Sequence, residues 1–302
     1  MIQKFVLQLF KDIKSLKIQG ASNVRKGIVN GLSLSAEKSK AKNLKEFQKE
    51  LKDTAELLLS ARPTEPEARN ACNIILRRLD KAKNLDEARE LIINECKEFE
   101  LNRKKVLNLI SKNGGTVIKP QSTVFTHCHS HTVEEIFIKN KNKIKKVIAT
   151  ETRPLYQGHL TVKALTSNGL QCKLIVDSAA STFMEGADAI FVGSDAITTK
   201  EVINKIGTRT MSFLAKEFNK PFYVCSSSLK FDPRTVFGYE EVIEQRPVKE
   251  VWNIKLNKLE IENPAFDRTP LKNVKGIITE LGVWTPEKFV DFMKKSAKKN
   301  RI

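Results

Sequence analysis

Through the first 112 or so residues, apolar side chains recur at i, i+3, i+4 and i+7, the spacing of an amphipathic helix. "AKNLKEFQKELKDTAELLLSA" and "NLDEARELIINECKEFELNRKKVLNLISKNGG" both carry the stripe, and Gly114-Gly115 stops the second. The opening "MIQKFVLQLFKDIKSLKI" has the same rhythm, with lysines between its apolar positions and no small-residue cleavage site. It reads as an amphipathic helix rather than a signal peptide. Two interruptions stand out. "IQGASN" (18–23) is a small-residue loop that opens into "VRKGIVNGLSLSAEK", and "ARPTEPEARNA" (61–71) sets two prolines at a helix junction. From about residue 120 the rhythm changes. "STVFTHC", "KKVIATE", "CKLIVDS", "DAIFVGSD" and "PFYVCSS" read as short strands. They alternate with the helical segments "SHTVEEIFIKN", "GHLTVKALTSNG", "SAASTFMEG" and "GTRTMSFLAKEFN". "GIITELGVW" adds a strand before the closing helix "PEKFVDFMKKSAKK". Alternation of this kind predicts an α/β domain, a parallel sheet with helices on both faces, at 116–302, after a helical domain at 1–115.

Composition adds few constraints. The chain has 302 residues, 40% hydrophobic and 29% charged, which fits a folded globular protein rather than a disordered one. No apolar run approaches the ~20 residues needed to cross a bilayer, so no membrane role and a cytoplasmic location are expected. The five cysteines (Cys72, Cys96, Cys128, Cys172 and Cys225) are odd in number and include no CxxC pair. That argues against a disulfide framework and a zinc module. The formal charge of +18 points to an anionic partner, nucleic acid or a phosphorylated small molecule, or else to a lysine-heavy surface with no such role. No aromatic-basic stacking pattern supports the nucleic acid, which is not expected as a partner.

In parallel sheets of this kind, ligands bind beyond the carboxyl ends of the strands. The polar residues available there are Cys128, Glu151, Asp177 and Asp195. "STVFTHCHSHTVEEIF" crowds three of the four histidines around Cys128. On one extended strand His127, His129 and His131 face away from Cys128, and the spacing matches no standard zinc pattern, so no metal is expected. Cys128 is either a small buried hydrophobe or a reactive group. A helix beginning near Ser130 would stabilise its thiolate and lower its pKa. Asp195 is either a general acid kept protonated by burial or the N-cap of a following helix, and Asp177 fits the capping role better. Arg62, Arg153, Lys205 and Lys230 each stand beside a turn and are candidates for binding phosphate. Gly20, Ala21 and Ser22 would let backbone amides approach one.

Nine motifs fall in order over nearly the whole chain: "IQGASN", "ARPTEP", "THCHS", "ETRPLYQG", "VDSAA", "GSDAI", "NKIGT", "NPAFDRTP" and "ITELG". The series resembles the sugar-phosphate isomerases related to the regulatory subunits of translation-initiation exchange factor 2B. Within that superfamily it is most similar to the archaeal ribose-1,5-bisphosphate isomerases, with the methylthioribose-1-phosphate isomerases more distant. The resemblance implies a helical domain followed by a Rossmann-like domain. It places the catalytic cysteine on Cys128 and the catalytic aspartate on Asp195. Substrate-binding positions fall on Gln19, Gly20, Ala21 and Ser22, on Arg62, on Ser130, His131 and Thr132, on Asn204 and Lys205, and on Lys230. It implies conversion of α-D-ribose 1,5-bisphosphate to D-ribulose 1,5-bisphosphate in archaeal AMP and nucleotide salvage. A dimer-based homo-oligomer of up to six subunits and AMP as an activator are also implied.

The expected chemistry gives ring-opening acid and O2-proton acceptor to Asp195, and C2-to-C1 proton transfer to a Cys128 thiolate. It balances internally and calls for no cofactor. A hydride shift is the alternative route; a non-catalytic regulatory subunit and a methylthioribose-1-phosphate isomerase are the alternative functions. The chain departs from the family pattern at three points. Gln19 stands where the isomerases commonly have arginine. "AITTKEVINKIGT" lacks an Asn-Gly and is one residue short. Arg268 replaces an apolar residue.

Overall fold

A computed structural model describes residues 2–18, 20–254 and 256–299. Its contacts divide the chain into two compact units. One is helical and comprises 1–105, 229–232 and 296–302; the other comprises 106–228 and 233–295.

The helical unit holds α1 (Lys4–Lys14), α2 (Ala21–Glu37), α3 (Leu44–Ser60), α4 (Pro66–Leu76) and the first two-thirds of α5 (Leu85–Gly115). The local signals are conventional. Asn43 caps α3 by accepting from the Glu46 amide at 2.9 Å, and Pro66 opens α4 at a position where the missing N–H costs nothing. The apolar stripes meet in one core that includes Val24, Ile28, Leu32, Phe47, Leu51, Leu58, Ile75 and Ile92. Gly31 permits the close approach of α2, since a Cβ there would lie 2.9 Å from both Leu9 and Leu58.

The second unit is built on a seven-stranded sheet in the order β10-β9-β7-β4-β1-β2-β3. Its strands are β1 (Ser122–Thr126), β2 (Ile144–Thr150), β3 (Cys172–Ile175), β4 (Ala189–Val192), β7 (Phe222–Cys225), β9 (Gly276–Thr279) and β10 (Gly282–Trp284). All neighbours are parallel except β10, which reverses onto β9 at Gly282, where φ is +129°. Leaving β10 aside, the strands run third, second, first, fourth, fifth, sixth, which is the Rossmann order. Between them lie α6 (His131–Lys139), α7 (Gln157–Ser167), α8 (Ala180–Met184) and α9 (Thr208–Glu217), and α10 (Pro286–Lys298) follows the last strand. Phe137 meets Phe191 edge to face at a centroid distance of 5.4 Å, and Phe191 stacks on Tyr223 at 5.3 Å.

The strands expected from sequence are all present. A second, three-stranded sheet was not expected: β5 (Ala196–Ile197), β6 (Glu201–Lys205) and β8 (Phe266–Pro270), antiparallel throughout. β5 has only two residues, and "FDRTP" is polar and ends in proline, so neither carries a strand signal. The strand order reverses between β1 and β4, and in sheets of this kind the crevice that takes a ligand lies there, beyond the carboxyl ends. No described helix is long and apolar enough to cross a membrane.

Candidate active site

Cys128 lies just past β1 and Asp195 just past β4, one on each side of that crevice. The loops that carry them touch at Gly193. A Cβ on Gly193 would meet Ser130 Oγ at 2.7 Å and Ser130 Cβ at 2.8 Å, so the bare backbone is what lets the two loops close. Asn204 Oδ1 lies 3.9 Å from the same point. Cys128, Ser130, Asp195 and Asn204 are thus gathered at one place in the sheet unit.

Asp195 is half-buried, and its amide donates to the Ile203 carbonyl at 2.8 Å. The capping alternative does not hold, because the β5–β6 hairpin follows it rather than a helix. Asp177 does not cap a helix either. Its carboxylate accepts from the amides of Thr152 at 2.8 Å and Arg153 at 2.7 Å, holding the turn after β2. Arg153 is committed locally: its guanidinium donates to Tyr156 Oη at 2.9 Å and to the Val251 carbonyl at 3.1 Å.

Cys128 adopts a left-handed backbone, φ +69°, which costs a non-glycine residue roughly 1 kcal/mol or more. Its amide donates to Thr152 Oγ1 at 2.9 Å, and its carbonyl accepts from Thr161 Oγ1 at 3.1 Å. The expected lowering of the thiol pKa is overturned. Burial pushes it up to about 12, against the pull of the Lys205 ammonium and the His129 amide, while Asp195 and Asp177 add to the rise. α6 does begin where expected, with Ser130 Oγ accepting from the Val133 amide at 3.4 Å, but desolvation outweighs the helix terminus.

The histidines point to three different tasks. His127 is buried and neutral, its pKa lowered by burial, and it hydrogen-bonds Thr150 and the Ile206 carbonyl. His129 Nδ1 lies 2.9 Å from Glu134 Oε1. His131, exposed at the start of α6, is held up in pKa by its contact with Glu134. Burial works to raise Glu134, but the hydrogen bonds from His129 and His131 win and its carboxyl lies below the usual range. Thr132 follows, half-buried. Among the described residues no group of three or more acidic, histidine or cysteine side chains is arranged to hold a metal ion.

Asn204 and Lys205 end β6. Asn204 Nδ2 donates to Thr208 Oγ1 at 3.0 Å, which donates to the Lys205 carbonyl at 2.6 Å. Asp267, opposite Asn204 on β8, accepts from the Gly207 and Arg209 amides at 2.8 and 2.9 Å and so fixes the start of α9.

The remaining expected residues lie in the helical unit. Gly20, at φ +83°, precedes α2, whose first residues Ala21 and Ser22 have no side-chain cap. Gln19 lies outside the described residues. Arg62 is almost buried, its guanidinium 3.4 Å from Glu65. Lys230 sits in the short 229–232 segment, which α4 holds. Asn70 Nδ2 donates at 2.8 Å to the carbonyls of both Leu229 and Phe231, and Arg69 pairs with the buried Asp232 at 3.3 Å. Glu67 is fully buried; burial works to raise its pKa, but Arg103 at 2.8 Å, Lys230 and Arg25 together lower it.

Two of the positions where the sequence departs from the expected pattern lie side by side on the small sheet. The shortened turn between β5 and β6 needs no glycine, because Thr198 Oγ1 accepts from the Lys200 and Glu201 amides at 3.1 and 3.0 Å. Glu201 then forms an ion pair with Arg268 on the adjacent strand, and Arg268 also donates to the Glu241 carbonyl.

Comparison with known proteins is consistent with this arrangement. The model of the Initiation factor 2 subunit family matches residues 17–286. The chain belongs to that family. Ribose 1,5-bisphosphate isomerase of Thermococcus kodakarensis is 37% identical over 97% of this chain and 95% of its own. Among solved structures, a translation initiation factor eIF-2B of Pyrococcus horikoshii OT3 superposes with a TM-score of 0.82 at 26% identity, covering 96% of this chain and all of that one. The 5-methylthioribose 1-phosphate isomerase of the same organism gives a TM-score of 0.76 at 30% identity, covering 98% and 87%. The family therefore spans enzymes and initiation factors.

The residues that sequence reasoning passed over are Thr150, Thr152 and Asp267. Thr150 ends β2 and Thr152 lies in the turn after it, and neither carries a distinctive signature, while Asp267 lies in β8, a polar strand with no strand signal.

Proposed function

We propose that this protein is an aldose-ketose isomerase that converts α-D-ribose 1,5-bisphosphate to D-ribulose 1,5-bisphosphate, acting in nucleotide salvage. The observation that carries the reading is the placement of Cys128 and Asp195 on opposite sides of the switch point of the sheet. A regulatory subunit has no need of that pair. Lys205 and Asn204, the Ser130–Thr132 turn, and Arg62, Lys230 and the 20–22 amides of the helical unit are the proposed binding groups for the two phosphates and hydroxyls.

In the reaction Asp195 gives its proton to the ring oxygen as the C1–O bond breaks, and later takes the proton from O2. A hydrogen must also pass from C2 to C1. In the proton-transfer route Cys128 Sγ takes it from C2 and returns it to C1 through an enol. With the thiol up at about 12, ionising it at pH 7 costs about 7 kcal/mol, which Lys205 and the bound state must offset. A direct hydride shift from C2 to C1 is the alternative route and needs no thiolate.

Purified protein given ribose 1,5-bisphosphate in deuterated water tests both the substrate and the route. Deuterium at C1 of the ribulose 1,5-bisphosphate assigns proton transfer, the Cys128 thiol having exchanged with solvent before it returns the proton; full retention of the C2 hydrogen counts against that route. Turnover of methylthioribose 1-phosphate in preference to the bisphosphate would overturn the substrate assignment. A dimer-based homo-oligomer and activation by AMP belong to the same proposal. So does a cytoplasmic location.

A further inference from the structure

Behind Cys128 runs a chain of hydrogen bonds that the proposed chemistry does not itself use. The Cys128 amide donates to Thr152 Oγ1 at 2.9 Å, and the two hydroxyls of Thr152 and Thr150 lie 3.2 Å apart. Thr150 Oγ1 lies 2.6 Å from His127 Nδ1, and His127 Nε2 lies 2.9 Å from the Ile206 carbonyl. With the 3.2 Å contact between the two hydroxyls taken as the bond, rather than the longer 3.4 Å contact from Thr152 Oγ1 to the Thr150 carbonyl, one set of proton positions satisfies every link. The Ile206 carbonyl can only accept, so His127 carries its proton on Nε2. Nδ1 then accepts from Thr150, Thr150 accepts from Thr152, and Thr152 accepts from the cysteine amide. All donors point one way, from the backbone of Cys128 to the residue after Lys205, and such runs strengthen cooperatively.

Four further observations show that the chain is under constraint. His127, Thr150 and Thr152 are all buried. Cys128 and Thr152 both hold positive φ, +69° and +62°, and a β-branched residue rarely adopts that conformation. Gly207 packs its bare Cα on the His127 ring, where a Cβ would lie 2.9 Å from Nε2. The Asp177 carboxylate anchors Thr152 from the other side through its amide.

We propose that His127 is a positioning residue which, through Thr150 and Thr152, locks the left-handed turn of Cys128 in register with the Asn204–Lys205 turn. Its consequence is that the Lys205 ammonium stays within electrostatic reach of the thiol. The kinetic part of this inference rests on the isomerase reading; the geometric part does not.

Paired substitutions test it. Thr150→Val and Thr152→Val keep shape and remove a link, while Thr150→Ser and Thr152→Ser keep the hydroxyl. Cys128 alkylation, followed by peptide mass spectrometry, is measured with anionic iodoacetate and with neutral iodoacetamide. The ratio of the two rates reports the nearby positive charge and cancels changes in accessibility. The valine variants are expected to lower that ratio severalfold and kcat about tenfold with KM moving less, and the serine variants to match the wild type. Valine variants with the wild-type ratio would overturn the proposal, even if their activity fell. Lowered ratios in the valine variants, beside a wild type that turns over no sugar phosphate, would leave the positioning role standing and remove the isomerase instead. Should one valine variant not fold, the other threonine, on the same chain of bonds, decides the matter in the same way.

Discussion

Cys128 shows how far residue type and position carry, and where they stop. Its place at a strand end before a helix was legible in "THCHS". Its left-handed backbone conformation was not, nor was the burial that pushes its thiol pKa up. Asp195 was equally legible as a strand-end carboxylate, whereas the hairpin after it was not. Asp267 illustrates the same limit. Burial raises its pKa to about 6, despite the two amides that donate to it, and its Oδ1 has no hydrogen-bond partner. The folded chain therefore holds a proton between about pH 4 and 6 that the unfolded chain has released. Stability falls as pH rises through that window, and the deficit persists above it. Asp267→Asn keeps an oxygen for the Gly207 and Arg209 amides and removes the charge. Thermal melts are expected to lose that pH dependence, and at pH 8 the variant gains up to about 3 kcal/mol. A variant less stable than the wild type at pH 8 would show that the charge supports the fold.

At the level of elements, helices declared themselves by a period of 3.6 that persists over several turns, and the parallel strands by short β-branched runs, buried on both faces, between helical segments. The small antiparallel sheet did not, since it is assembled from a two-residue strand and a polar one. That sheet nevertheless delivers Asn204 and Lys205 to the crevice. Its integrity depends on a turn that dispenses with Asn-Gly and on the Glu201–Arg268 pair. Both departures from the family pattern thus become parts of one local solution. A double-mutant cycle with Glu201→Ala and Arg268→Ala is expected to show a coupling of about 1 kcal/mol in urea denaturation. Additive losses would mean that the two departures are independent.

For the whole molecule, the rhythm of the sequence announced a helical region followed by an α/β region, and the sheet proved to have the Rossmann order. The strand order itself was not legible. It depends on which edge of β1 receives β4, a choice made by packing between residues distant in sequence. That choice creates the switch point, and the switch point brings Cys128 and Asp195 to the same crevice. Candidate phosphate ligands occur in both units, and the segment with Lys230 returns to the helical unit late in the chain. Family membership alone leaves enzyme and regulatory subunit both open, so the site's chemistry has to decide. The most direct test is turnover of α-D-ribose 1,5-bisphosphate by the purified chain beside Cys128→Ser and Asp195→Asn. The account predicts ribulose 1,5-bisphosphate from the wild type, and a loss of about 10²–10⁴-fold in each variant with melting temperatures little changed. A wild type that forms no product, or variants that match it, would contradict the account.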